Sequence, residues 1–167
     1  MKKKTTLIAL MLVCSLGLSN AGTQDEYKFH GMFILNFLRY IQWSDASQEF
    51  VIGILGDASV MPDLERSAAT RMVNGKKIVI RRFSRALDLS EECKLVYIPI
   101  EKSDELAQVV SFVGNKSLIV TAKDGLRQKG SCINFVIKEG KWRFEINEAA
   151  AEKARLKISS ELSRLAM

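Results

Sequence analysis

The sequence predicts an α/β domain: a mainly parallel sheet flanked by helices and finished by an antiparallel hairpin. Three observations carry that expectation. Between Phe50 and Ala122, short apolar runs alternate with helical stretches, the order that builds parallel sheets. From Ile133 to Ile146 the style changes, and two strand-like runs meet at Glu139-Gly140. No Pro/Gly/Ser-rich linker, internal repeat or low-complexity run interrupts the pattern, so one domain is expected.

A targeting segment precedes that domain. Lys2, Lys3 and Lys4 form a positive start, Leu7 to Leu18 is an apolar run of 12 residues, and Ser19-Asn20-Ala21 supplies small residues for cleavage before Gly22. This is the pattern of a secretory signal peptide over residues 1–21. A membrane anchor needs about 20 apolar residues. A lipoprotein signal needs a small residue before its cysteine, whereas Val13 precedes Cys14. The dense lysine cluster and short apolar core point to a bacterial periplasm. Removing 21 of 167 residues leaves 146, residues 22–167, enough for a real core. Three lysines leave with the signal, so the formal charge falls from +6 to +3. No aromatic-laced basic stripe marks a nucleic-acid partner.

Tyr27 to Trp43 reads as a helix in which 11 of 17 positions are apolar. That arc is wider than one core-facing stripe. Either the helix is covered on several sides within its own domain, or part of the arc meets another subunit or a partner. Phe33, Phe37, Tyr40 and Trp43 are the candidate interface residues. Phe50 to Leu55 reads as a buried strand turning at Gly56-Asp57. Pro62 fits the first turn of a helix over 63–72, ended by Asn74-Gly75. Ile78 to Phe83 and Lys94 to Ile100 are the next strands. Ser103, followed by Asp104 and Glu105, marks a helix start running to about Val113. Ser117 to Ala122 is the fourth strand. After the hairpin, Asn147 caps a helix over 148–155, and a last helix covers 159–166.

Catalytic patterns are missing from this sequence. His30 is the single histidine and falls on the apolar arc, the place of a packed core side chain. No GxSxG, HExxH, GxGxxG or GKS/T occurs. No cofactor, metal set or enzymatic activity is expected. Arg81 and Arg82 stand near the end of a strand, the usual ligand side of a parallel α/β sheet. Alternation sends the two side chains to opposite faces, which leaves Asp57 and Arg82 as a candidate ligand crevice. Cleavage removes Cys14 and leaves Cys93 and Cys132. An even pair in an oxidising compartment favours a disulfide. Closing its loop is worth roughly 4 kcal/mol in the chain-entropy view. The alternative is two buried free thiols.

The tail carries a resemblance. Ile133-Asn134-Phe135-Val136, Arg143-Phe144-Glu145-Ile146-Asn147, Ala149-Ala150 and Leu156-Lys157-Ile158-Ser159-Ser160-Glu161-Leu162-Ser163-Arg164-Leu165-Ala166 follow in order. This resembles the YfiR family of small periplasmic proteins. Tyr40 with Trp43, Ile52 to Asp57, Val73 to Lys76 and Val79 to Phe83 extend the likeness upstream. The resemblance implies a Rossmann-like mixed sheet, often dimeric. It implies an inhibitor that contacts the periplasmic sensor domain of a membrane-bound diguanylate cyclase, and an outer-membrane-associated protein that sequesters the inhibitor. Release then raises cyclic di-GMP and favours biofilm. It also implies a family-type bridge for Cys93 and Cys132. A second expectation rests on sheet topology: a small-ligand sensor module acting on another receptor.

Overall fold

The computed structural model describes residues 21–43, 47–56 and 61–167. The expected signal peptide lies outside them, apart from Ala21, where the first helix begins. Helix α1 (Ala21–Tyr40) leads into the short strand β1 (Ile41–Gln42). Strand β2 (Glu49–Leu55), helix α2 (Met61–Ala68), strand β3 (Met72–Val73) and strand β4 (Lys76–Phe83) follow. Then come β5 (Cys93–Ile98), α3 (Leu106–Val113), β6 (Leu118–Thr121), β7 (Ile133–Lys138) and β8 (Lys141–Ile146). The chain closes with α4 (Glu148–Lys153), β9 (Lys157–Ile158) and α5 (Ser160–Leu165).

The main sheet has seven strands in the order β3-β4-β2-β5-β6-β7-β8. Neighbours from β4 through β7 pair in parallel, and β3 and β8 are antiparallel edges. This is the mixed α/β sheet with a C-terminal hairpin that the sequence pattern predicts. Phe50 to Leu55 are all buried because β2 is covered on both faces. Gly53 is small for a packing reason: a Cβ there would stand 3.0 Å from the Cys93 sulfur. Asn147 accepts a hydrogen bond from the Ala150 amide at 3.0 Å, so the cap expected there forms, while Ser159, expected inside the last helix, accepts one from Leu162 and caps it instead.

Several boundaries differ from the sequence expectation, and the first helix begins at Ala21 rather than Tyr27. The first helix stops at Tyr40 rather than Trp43. Ile41 and Gln42 instead pair antiparallel with Ile158 and Lys157, and the Ser159 amide donates to the Tyr40 carbonyl. The second helix stops at Ala68, and Met72 and Val73 pair with Lys77 and Lys76. Asn74 and Gly75 therefore turn a hairpin rather than end a helix, with φ of 51° and 77°. Pro99 ends β5 early, and a 3-10 turn over Ile100–Glu105 follows. Within that turn the Ser103 hydroxyl donates back to the Ile100 carbonyl and does not cap a helix.

The expected Cys93–Cys132 bridge does not form; both cysteines are buried free thiols. Cys93 opens β5, whereas the Cys132 amide donates to the Ile119 carbonyl of β6. Strand β6 thus stands between them. Two strand spacings come to roughly 10 Å, beyond the roughly 7 Å Cα separation a disulfide tolerates. Burial pushes each thiol up to about 11, so neither is thiolate at neutral pH. Alkylation of native protein under non-reducing conditions is expected to be slow at both sites. In denaturant without reductant, mass spectrometry should find both alkylated. A denatured, unreduced chain that resists labelling at both would restore the bridge.

Candidate functional site

Helix α1 lies across the β7–β8 hairpin through an aromatic seam. Phe37 stacks on Phe135 and meets Phe144 edge-on, with ring centres 5.8 and 5.1 Å apart. Phe29 stacks on Phe33 at 4.3 Å and on Trp142 at 5.9 Å. His30 sits in the same seam, fully buried, face to face with Phe135 at 4.1 Å and edge-on to Trp142 at 4.7 Å. His30 Nδ1 and the Tyr97 hydroxyl share a hydrogen bond of 2.8 Å, while Nε2 has no partner. Burial lowers the His30 pKa to about 3. The ring is neutral at physiological pH, as a core histidine.

Two depressions flank the C-terminal half of α1. One is a cavity of about 410 Å³ between α1, β8 and α5. Phe33, Phe37, Tyr40, Trp142 and Phe144 wall it, and Arg39 and Arg143 bring positive charge to it. The other is a groove of about 810 Å³ between α1 and the β3–β4 hairpin, which Arg39, Trp43, Arg71, Met72 and Ile78 help to line. The candidate interface residues therefore divide. Phe33, Phe37 and Tyr40 share the cavity; Phe37 belongs to the core and the other two are half-buried. Trp43 packs edge-on over Phe50 at 4.9 Å and lines the groove instead. The wide apolar arc of α1 is mostly spent within the domain; Met32 is its exposed member, at 55 %.

The sheet reverses its winding between β2 and β5, the place where open α/β sheets hold ligands. Asp57, expected there, lies outside the described residues. Arg82 is exposed on β4; Arg81 is half-buried and pairs with Glu92 at 3.0 Å and Glu49 at 3.8 Å. Over Gly56 lies the side chain of Lys102, whose Cγ would be 3.0 Å from a Cβ added to that glycine. Lys102 Nζ donates to the Ser84 carbonyl and to Glu105, each at 2.8 Å. Glu105 also accepts from the Ala86 amide at 2.6 Å, and Lys102 holds its carboxyl below the ordinary range. An internal ion pair thus covers the crevice floor at Gly56.

Sequence reasoning missed Trp142, Arg143, Leu162 and Leu165 as cavity walls. Alternation along β8 was their available signal, but it does not say which helix the hairpin meets. Among the described residues, no group of three or more His, Cys, Asp or Glu side chains is placed to hold a metal. No described helix is long and apolar enough to cross a membrane.

A family model described as YfiR/HmsC-like matches residues 27–167. The chain belongs to the YfiR/HmsC-like family. The match runs from the first described turn of α1 side chains to the C-terminal residue, so the aromatic seam, both depressions and the hairpin all lie within it. No curated protein matches the chain. The YfiR/HmsC-like family is regulatory rather than catalytic.

The buried histidine sets a pH dependence. Its folded pKa of about 3 lies below the ordinary 6.5, so only the unfolded chain takes up this proton as pH falls below 6.5. Stability present above pH 6.5 is lost as pH drops toward 3. Between pH 6.5 and 5 the imidazole that takes up a proton in the unfolded chain is that of His30, the single histidine. There the unfolding free energy should fall with a slope approaching about 1.4 kcal/mol per pH unit. Urea titrations should show that slope in the natural chain and lose it in His30→Phe. A flat profile in the natural chain would refute the burial of a neutral His30.

Proposed function

We propose that this chain is a periplasmic regulatory protein that binds the periplasmic sensor domain of an inner-membrane diguanylate cyclase and represses it. Repression lowers cyclic di-GMP and biofilm formation. The observation that carries this reading is the YfiR/HmsC-like match across residues 27–167. Physical support comes from the pattern of residues 1–21, which directs export. A protein outside the inner membrane reaches cytoplasmic chemistry only by touching something that crosses. A homodimer, and an outer-membrane-associated protein that sequesters the inhibitor, complete the reading.

Purified protein lacking residues 1–21 is expected to capture the cyclase's periplasmic domain in a pull-down. With full-length cyclase in proteoliposomes holding the protein inside the lumen on the sensor side, it should slow cyclic di-GMP synthesis in a dose-dependent way. Absence of both capture and repression sinks the proposal.

The second reading, a small-ligand sensor module, is favoured by one observation: the cavity of about 410 Å³ between α1 and β8. Its aromatic walls and the flanking Arg39 and Arg143 suit a small anionic molecule with an apolar body. A thermal-shift screen of such molecules should find a stabiliser whose effect is lost in Arg143→Ala. A flat screen counts against it.

A further inference from the structure

The two edges of the main sheet are finished differently. At β8 the chain's own C-terminus closes on the edge: the Met167 amide donates to the Phe144 carbonyl at 3.2 Å. At the opposite end, β3 covers β4 at Lys76 and Lys77 only. Beyond them β4 continues through Ile78 to Phe83, paired with β2 on one side. Backbone groups alternate between the two edges of a strand. The Phe83 carbonyl accepts from the Gly56 amide at 2.7 Å and so faces β2. Counting back, Arg81, Val79 and Lys77 also face β2, and Ile78 and Ile80 turn their N–H and C=O groups outward. The pairing of Lys76 with Val73 across the outer edge fits the same count. Among the described residues, no backbone hydrogen bond reaches Ile78 or Ile80 from that side.

Beside this edge runs the groove of about 810 Å³ between α1 and the β3–β4 hairpin. Its floor includes Leu38, Val73 and Ile78, and among the described residues that line it the charged ones are Arg39 and Arg71, with no carboxylate. Lys77 is exposed on the strand itself. We propose that the β4 edge and this groove dock an extended, acid-flanked segment of a partner protein, which adds to the sheet as an eighth strand. Its backbone would pair with Ile78 and Ile80, its apolar side chains would enter the groove, and its carboxylates would meet Lys77, Arg39 and Arg71. A second copy of this chain is a poor occupant. Strand β4 carries Lys76, Lys77, Arg81 and Arg82 and no acidic residue, so two copies of this edge would bring like charges together. The proposal deepens the regulatory reading above and rests on it only for the partner's identity.

The probe is a blocked nine-residue peptide, five alternating valines and threonines between two pairs of glutamates, with a lysine-flanked version as control. Titrated into protein lacking residues 1–21, the glutamate peptide should protect the Ile78 and Ile80 amides from hydrogen exchange. Ile80→Pro removes an outward N–H and leaves the ladder to β2 intact; it should weaken binding tenfold or more. The pair Arg71→Glu and Lys77→Glu, which leaves the backbone alone, should reverse the preference toward the lysine peptide. Equal binding of both peptides to the natural protein, or unchanged binding by both variants, overturns the proposal. So does a homodimer that Ile80→Pro converts to monomer. In the cyclase assay, repression that survives Ile80→Pro overturns the edge as the partner's dock. Peptide binding with these variant effects, but without repression by the natural protein, supports the edge and defeats only the cyclase reading.

Discussion

The stack of His30 on Phe135, with Phe37 and Trp142 beside it, joins the first helix of the domain to its C-terminal hairpin. These contacts close a loop of roughly a hundred residues, and such closure becomes only slowly more costly with length. Each aromatic pair adds on the order of 0.5–1.5 kcal/mol beyond the area it buries. The parallel strands between them gain a covered face only when α1 is in place. Helix and hairpin therefore support each other: α1 has too much apolar surface to stand alone, and Trp142 and Phe144 of β8 pack on its aromatic residues. The unpaired Nε2 of His30 is the cost of using a polar ring in that seam, and the Tyr97 hydroxyl offsets part of it.

That docking also shapes the surface. With α1 held against the hairpin, its polar residues Asn36 and Arg39 become a ridge that borders both depressions. The short β1–β9 pairing fastens the end of α1 to the tail, and α5 then walls the aromatic cavity with Leu162 and Leu165. Arginines on both sides of the ridge give the face a positive cast, although the whole chain carries a formal charge of only +6 with its first lysines included. At the winding reversal, by contrast, the Lys102–Glu105 pair lies over Gly56. The two depressions described above thus lie on the flanks of α1 rather than at the strand ends.

Local patterns made much of the fold legible. Alternating apolar runs located the parallel strands, because a strand buried on both faces must be apolar throughout. Glu139-Gly140 located the hairpin, and Asn147 located a cap, because these depend on a few adjacent residues. Where the end of a helix was misread, a strand partner had decided, whether distant in sequence or across a tight turn. Ile41 and Gln42 are strand only because Lys157 and Ile158 lie alongside. Met72 and Val73 leave the helical pattern because a two-residue turn folds them back on β4.

The residues alone determined an α/β domain with a hairpin, a histidine on an apolar face and, through the motifs of the tail, membership of a regulatory family. The first two follow from periodicity and short-range chemistry, which the order of residues contains, and the third from the likeness of those motifs to the family's. Only the tertiary structure decided that Cys93 and Cys132 stand apart, since strand order rather than spacing sets their distance. It also decided that Phe33, Phe37 and Tyr40 face a cavity while Trp43 faces a groove. Residues close together at the end of α1 acquire separate surroundings from what packs on either side, β8 and α5 from the end of the chain and the β3–β4 hairpin from its middle.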